Sequence, residues 1–352
     1  MATNGLMATA DVSRIEAPVS LKAYLMCAFA SFGGIFFGYD SGYINGVLGM
    51  PFFIHLITGI PIPDPGASDE VKAAFTLPAS QKSLITSILS AGTFFGALIA
   101  GDLADWIGRR FTIIAGCAIF ILGVILQTAS HGIGLLVAGR LIAGFGVGFV
   151  SAVIILYMSE IAPKKFRGAI VSGYQFCITL GLLIASCVTY GTQNYTDTGS
   201  YRIPIALQML WALILAGGLL FLPESPRYYV KKGDVHSAAK VLARLRGQPK
   251  YSEYVQLELT EIIANNEYEL SVMPGGGYFA SWFNCFRGGL FSTSSNLRRT
   301  ILGTSLQMMQ QMTGINFIFY VSQVKRSRRP EENFADIVIV WNHILPGAAD
   351  YQ

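Results

Sequence analysis

Charged side chains are scarce in this sequence: Asp, Glu, Lys and Arg make up 13% of its 352 residues, about half the ~25% of a typical soluble chain. Much of the folded surface therefore does not face water. That excludes a disordered protein, a basic nucleic-acid binder and an ordinary cytosolic enzyme. The formal net charge is only +4, too small to call for a polyanionic partner. Cysteine is sparse as well. Cys27, Cys117, Cys177, Cys187 and Cys285 form no CxxC pair, and the first four sit in apolar runs. There they behave as small hydrophobes, so neither a disulfide framework nor a metal site is expected. No HExxH, no Walker loop and no nucleophile–base motif occurs, so no catalytic role is expected and no cofactor is called for.

What is abundant is apolar sequence, at 52% of residues. Seven stretches are long enough to cross a bilayer, which takes about 20 apolar residues. They lie near Leu21–Leu48, Ser83–Ala100, Phe111–Ser130, Gly132–Met158, Gly168–Tyr190, Ile203–Leu222 and Thr300–Val321. A cleavable signal peptide is not expected. The first run is too long for one, and a polar leader, residues 1–20, precedes it. With the N-terminus inside, 17 basic residues fall on the cytoplasmic side against Lys72, Lys82 and Arg202 outside, a decisive bias. Asn194-Tyr195-Thr196 is a glycosylation sequon on the outer side of this topology. The polar stretch Pro223–Arg299 carries helical periodicity over Val235–Arg246 and Val255–Ile263, with Gly275-Gly276-Gly277 as a break. It reads as short cytosolic helices against the membrane domain. The organisation expected is all-α: a leader (1–20), a six-helix bundle (21–222), a cytosolic helical linker (223–299), a seventh span (300–321) and a tail (322–352).

Two charged residues lie inside spanning segments, Asp40 in the first and Arg140 in the fourth. Either alone costs at least ~2.5 kcal/mol on the insertion scale. Each is eight residues from the outer end of its segment, so both sit about 12 Å deep. Matched depth and opposite sign make a pair, either a structural salt bridge or a functional site. Gly34, Gly38, Gly42 and Gly46 repeat every four residues and form a stripe for close helix packing. Asp40 points roughly opposite that stripe. Gln175, Gln310, Gln311 and Asn316 place amides in the fifth and seventh segments. Buried amides need partners. They suit either interhelical bonds or a polyhydroxylated ligand. Gln310 and Gln311 fall about 16 Å up their helix, near the midplane where transporters place substrate.

Charged motifs follow each even-numbered segment. Gly101-Asp102-Leu103-Ala104-Asp105-Trp106-Ile107-Gly108-Arg109-Arg110 joins segments two and three; Ser159-Glu160-Ile161-Ala162-Pro163 and Arg167 follow segment four; Pro223-Glu224-Ser225-Pro226-Arg227 follows segment six. Glycine permits the tight reversal, and arginines clamp carboxylates and helix C-termini. Repetition of this chemistry suggests a gate of ion pairs; singly, each is an ordinary basic flank.

Together with Phe37-Gly38-Tyr39-Asp40, Gly139-Arg140, the glycines at 144, 146 and 148, and Gln310-Gln311-Met312-Thr313-Gly314-Ile315-Asn316, these motifs resemble the sugar porter family of the major facilitator superfamily, most closely fungal monosaccharide transporters. The resemblance covers residues 20–321. It implies two six-helix bundles around a central sugar site, in the plasma membrane. The partners implied are a small sugar, a co-transported proton if the chain is of the symporting rather than the facilitating kind, and the lipid bilayer, with no nucleic acid. Gln175, Gln310, Gln311 and Asn316 would bond sugar hydroxyls, with Phe37 and Ile178 lining the site. In family members that are symporters, the acid at Asp40 takes the proton and Arg140 tunes it; some facilitators keep the acid too. Gly101, Asp105, Gly108, Arg109, Arg110, Glu160, Arg167, Glu224 and Arg227 would form the cytoplasmic gate. The pattern is lost after Val321: Ser322–Gln352 puts Lys325, Arg326, Arg328 and Arg329 on the outer side and reads like another frame or an intron. The expectation is a hexose transporter cut short in its second half, with a sugar sensor of the same fold, or an inert fragment, as rivals.

Overall fold

The structure, a computed structural model, describes residues 21–63, 75–163, 167–272, 285–286, 288–289 and 295–313. All regular structure among them is helical: α1 Leu21–Ser31, α2 Gly33–Leu48, α3 Pro51–Thr58, α4 Ala79–Ile107, α5 Arg109–Thr128, α6 Ile133–Ile161, α7 Arg167–Thr192, α8 Gly199–Phe221, α9 Pro226–Lys231, α10 Val235–Arg246, α11 Glu253–Val272 and α12 Asn296–Met312. Helices α4 to α8 are each long and apolar enough to cross a bilayer. The chain is an integral membrane protein of polytopic all-α type.

The expected first span is not one rod. It breaks at Phe32 into α1 and α2. The Phe32 N–H bonds the carbonyl of Phe29 and the Ile35 N–H that of Phe32, each three residues back. Ser31 Oγ bonds the Cys27 carbonyl and also that of Ile170 on α7. Ser31 and the Gly33-Gly34 pair supply the cause, since a serine back-bond and paired glycines both weaken the helical ladder. The seventh stretch is described only as α12 up to Met312; Asn316, Gly275-Gly276-Gly277 and Ser322–Gln352 lie outside the described residues.

One compact unit draws on Met1–Tyr43, Pro78–Gly191 and Arg202–Ser271; a second on Ile44–Leu77, Thr192–Tyr201 and Val272–Gln352. In the first, α6 is the hub. Its Gly144 and Gly148 meet the α4 backbone at Leu89 and Thr93, and its Gly146 meets α5 at Gly116 and Phe120. Helices without side chains at the contact approach to backbone distance, which is how packing replaces the hydrophobic drive in lipid. The glycine stripe of α2 does the same against α7: a Cβ at Gly34 would strike Tyr174, and one at Gly38 the carbonyl of Ile178. Gly38→Ala is therefore expected to cost about 1–3 kcal/mol by overpacking, while Gly217→Ala, inside α8 with no atom within 4 Å of the added carbon, is expected to cost nothing and to add up to about 1 kcal/mol through helix propensity. Thermal unfolding in detergent compares the two.

Around this bundle Phe94, Phe95, Leu122, Leu213 and Leu220 are exposed, an apolar surface of the kind lipid covers. Helices α9 to α11 form a small module with its own core of Val230, Ala238, Ala239, Leu242, Val255 and Leu259. The Asp234 side chain caps α10 by accepting from the Ser237 N–H, and Gly247, at φ 66°, ends it. In the second unit, Phe52 and Phe53 of α3 pack on Tyr201.

Candidate functional site

Two polar clusters stand out in the first unit. The first is buried in the bundle. Asp40 on α2 and Arg140 on α6 are each 1% exposed, yet they form no ion pair. The Asp40 carboxylate has no hydrogen-bond partner at either oxygen. Arg140 instead donates from Nε to the Ile85 carbonyl at 2.8 Å and from NH1 to the Tyr43 hydroxyl at 2.7 Å. The Tyr43 hydroxyl in turn donates to Gln127 Oε1 at 3.0 Å. The Arg140 guanidinium also lies over the Tyr43 ring, 5.8 Å from its centroid. The direct pair expected from matched depth is thus absent: Arg140 is bonded to Tyr43 and Ile85, and Asp40 stands apart.

Gln208 on α8 lies beside Tyr43, but its amide oxygen and nitrogen are both buried without a partner in hydrogen-bond geometry. Trp211, one turn on, packs against Tyr39 and Phe32, and its indole N–H is unpartnered too. Buried polar atoms without partners mark a place for water or a ligand. Reading the sequence missed Tyr43, Gln127, Gln208 and Trp211. Two signals were present: Tyr43 follows Asp40 by three residues, so shares its helix face, and Gln127 and Gln208 are lone amides in apolar runs.

Of the expected sugar-site residues, Phe37 and Ile178 are half-buried, Gln175 is exposed on α7 and Gln310 is exposed on α12. The Gln311 side chain and Asn316 lie outside the described residues. Asn194 is exposed in the turn after α7.

The second cluster joins the ends of α4, α5, α6 and α8. Gly108 makes the reversal at φ 100°, and a Cβ there would come within 2.5 Å of Glu224 Oε2, so only glycine fits. The Glu224 carboxylate accepts the backbone N–H groups of Arg109 (3.0 Å), Arg110 (3.1 Å) and Ser225 (2.9 Å). It caps the open N-terminus of α5, where backbone donors and the helix dipole favour an anion. Burial pushes the Glu224 carboxyl above its usual range, opposed by these N–H donors and the Arg109 charge. Arg109 pairs with Glu160 at 3.0 Å, both side chains 4% exposed, and with Asp105 at 3.0 Å. Arg110 donates to the Leu220 carbonyl at the end of α8. A cleft of about 380 Å³ beside the cluster is lined by Gly101, Asp105, Arg109, Glu160, Arg227, Lys231 and Glu269 among others.

The expected ion-pair set is therefore rearranged. Glu224 binds backbone N–H groups rather than an arginine side chain. Among the described residues Arg167 and Arg227 form no ion pair, and Arg167 Nε is buried without a partner. Two pairs not foreseen appear instead: Lys231 with Asp105 at 2.9 Å, and a bidentate Arg246–Glu258 pair. Arg246 also donates to the Ile161 carbonyl, Arg244 to that of Phe221 and Tyr228 to that of Trp106. The α9–α11 module thus satisfies carbonyls at the ends of α6, α8 and α4, which would otherwise lack partners. Among the described residues no cluster of His, Cys, Asp and Glu is arranged to hold a metal ion.

The residue pattern of the family described as sugar (and other) transporters matches residues 26–340, running past Val321, where the resemblance was expected to stop. The major facilitator-type transporter ecdD of Aspergillus rugulosus is 47% identical over 85% of the chain, which spans 52% of that protein. The high glucose sensor RGT2 of Saccharomyces cerevisiae is 44% identical over 87% of the chain, which spans 38% of it. The probable glucose transporter rco-3 of Neurospora crassa is 43% identical over 86% of the chain, which spans 48% of it. The chain thus spans about half the length, or less, of these curated relatives. Among solved structures, the major facilitator proton:xylose symporter XylE bound to 6-bromo-6-deoxy-D-glucose matches 92% of the chain and 66% of its own length, with a TM-score of 0.68 at 22% identity. At that identity the likeness speaks to the fold.

Proposed function

The chain belongs to the sugar transporter family, and from that premise we propose that it forms the N-terminal bundle and linker of a monosaccharide transporter, with a hexose as cargo and a proton as the coupled ion. The observation that carries this reading is the Asp40 site. A partnerless carboxylate is buried beside an arginine held by neutral oxygens. An acid in that setting has two stable arrangements, neutral and apart from the cation or charged and joined to it. A proton that chooses between them shifts the balance of outward- and inward-facing states. Phe37, Gln175 and Ile178 line the cargo path from this half; Gln310, Gln311 and Asn316 contribute amides from the seventh segment. Gly101, Asp105, Gly108, Arg109, Arg110, Glu160 and Glu224 hold the cytoplasmic ends of the spans together, with Arg167 and Arg227 as cations placed to join when the ends move. The N-terminus is cytoplasmic, the membrane is the plasma membrane, and Asn194 faces outside.

The test is uptake of labelled glucose by fungal cells stripped of their own hexose carriers and expressing the complete transporter of which this chain is the proposed first half. Uptake above that of empty cells supports the reading; none, with the protein present at the membrane, overturns it. A second reading, a sugar receptor, is favoured by the 44% identity to a high glucose sensor. Glucose-dependent signalling without uptake would select it.

A further inference from the structure

The neighbourhood of Asp40 contains a group that competes for Arg140. Tyr43 is fully buried, and its hydroxyl takes the Arg140 NH1 donor at 2.7 Å while donating to Gln127 at 3.0 Å. Its ring stacks on Tyr39, with centroids 6.1 Å apart, and Tyr39 is tied in turn to the Pro204 carbonyl. The phenol is thus fixed in place from both ends. Three residues earlier on the same helix, Asp40 has no partner at all. A guanidinium and a charged carboxylate this close in hydrocarbon would pair if nothing intervened, since an uncompensated buried charge costs several kcal/mol. The observed arrangement is the one suited to a protonated, neutral Asp40.

We propose that Tyr43 is a positioning residue of the Asp40 site: its hydroxyl is the neutral acceptor that holds Arg140 while Asp40 carries a proton, and lets it go when Asp40 is charged. The proposal rests on the reading of Asp40 as the proton carrier. A hydronium O–H bond breaks as the carboxyl O–H bond forms, leaving water, and deprotonation reverses both. Arg140 then exchanges one partner for another without ever being bare. Among the described residues, Arg140 from α6 and Tyr39 and Tyr43 from α2 are the charged and titratable groups on this side, and α4 presents the Ile85 carbonyl. Gln127 from α5 and Gln208 from α8 are neutral, and α7 meets the opposite, glycine side of α2, with Tyr174 and Cys177 at Gly34.

Infrared difference spectroscopy on this chain in lipid nanodiscs tests it without transport. The carbonyl stretch of a protonated carboxyl that disappears in Asp40→Asn reports Asp40. At the pH where that band is half its maximum, Tyr43→Phe frees Arg140 to pair with Asp40 and is expected to lower the protonated-to-charged ratio about tenfold. Arg140→Gln is expected to raise the ratio by a similar factor. In the Arg140→Gln background, Tyr43→Phe is expected to do nothing, a dependence that a role in packing alone would not show. Should Tyr43→Phe fail to fold, difluorotyrosine at position 43 keeps the shape and weakens the acceptor, with the same direction expected. A ratio unchanged within about twofold, or an equal effect without Arg140, overturns the proposal while leaving Asp40 as the proton carrier. No titrating Asp40 band at any pH overturns both.

Discussion

Asp40→Asn is expected to abolish sugar-driven proton uptake. The amide has nearly the same shape as the carboxyl but cannot take up a proton, so the step that would switch Arg140 between partners is lost. The substitution is not expected to unfold the bundle. Both Asp40 oxygens are buried without a partner, so replacing a group that must bear a charge at some point in the cycle by a neutral one removes a desolvation cost and breaks no bond. The measurement is external alkalinisation on adding glucose to cells that express the complete transporter, with the variant's membrane level checked alongside. Unchanged alkalinisation in the variant would sink the role assigned to Asp40. Retained sugar binding with no proton movement is the expected pairing of results.

Arg109→Ala should produce the largest loss of stability in the second cluster. It strands the Glu160 carboxylate, whose side chain is 4% exposed, and removes the donor to the Ala104 carbonyl at the end of α4. Removing one partner of a buried pair costs about 3–5 kcal/mol, because the other is left charged and dry. Thermal unfolding of the chain in nanodiscs reads this directly. A double replacement, Arg109→Met with Glu160→Leu, is expected to recover most of the loss, since an apolar pair of similar volume carries no desolvation penalty. A loss of under about 1 kcal/mol in the single variant, the range of exposed pairs, would show that water reaches the site and that the cluster does not lock the helix ends.

The two clusters differ in how far they could be read from the chain alone. Glycines at 34, 38 and 42 announced a close helix contact because every fourth residue of a helix shares a face, and they do press on α7. Val235–Arg246 announced its helix through its apolar spacing and carries its own caps. The family motifs marked Asp105, Gly108, Arg109, Glu160 and Glu224 as one functional group, and the structure brings them to one place. Ser31 and Gly33-Gly34, by contrast, held the signal for the break at Phe32, but the apolar run around them dominated the reading. Arg246 and Glu258 gave no signal, because their meeting depends on the turn between α10 and α11.

By itself the sequence determined that this protein enters a membrane, and five of its expected spans recur as helices long and apolar enough to cross one. Those properties follow from transfer free energies that accumulate residue by residue, whatever the partners. Only the tertiary structure decided the partners: Arg140 with Tyr43 rather than Asp40, Glu224 with the N-terminus of α5 rather than an arginine, and Arg246 with Glu258 and the Ile161 carbonyl at the end of α6. A hydrogen bond needs its donor and acceptor within about 3 Å and in line, and in a helix bundle those positions are set by how closely neighbouring backbones pack.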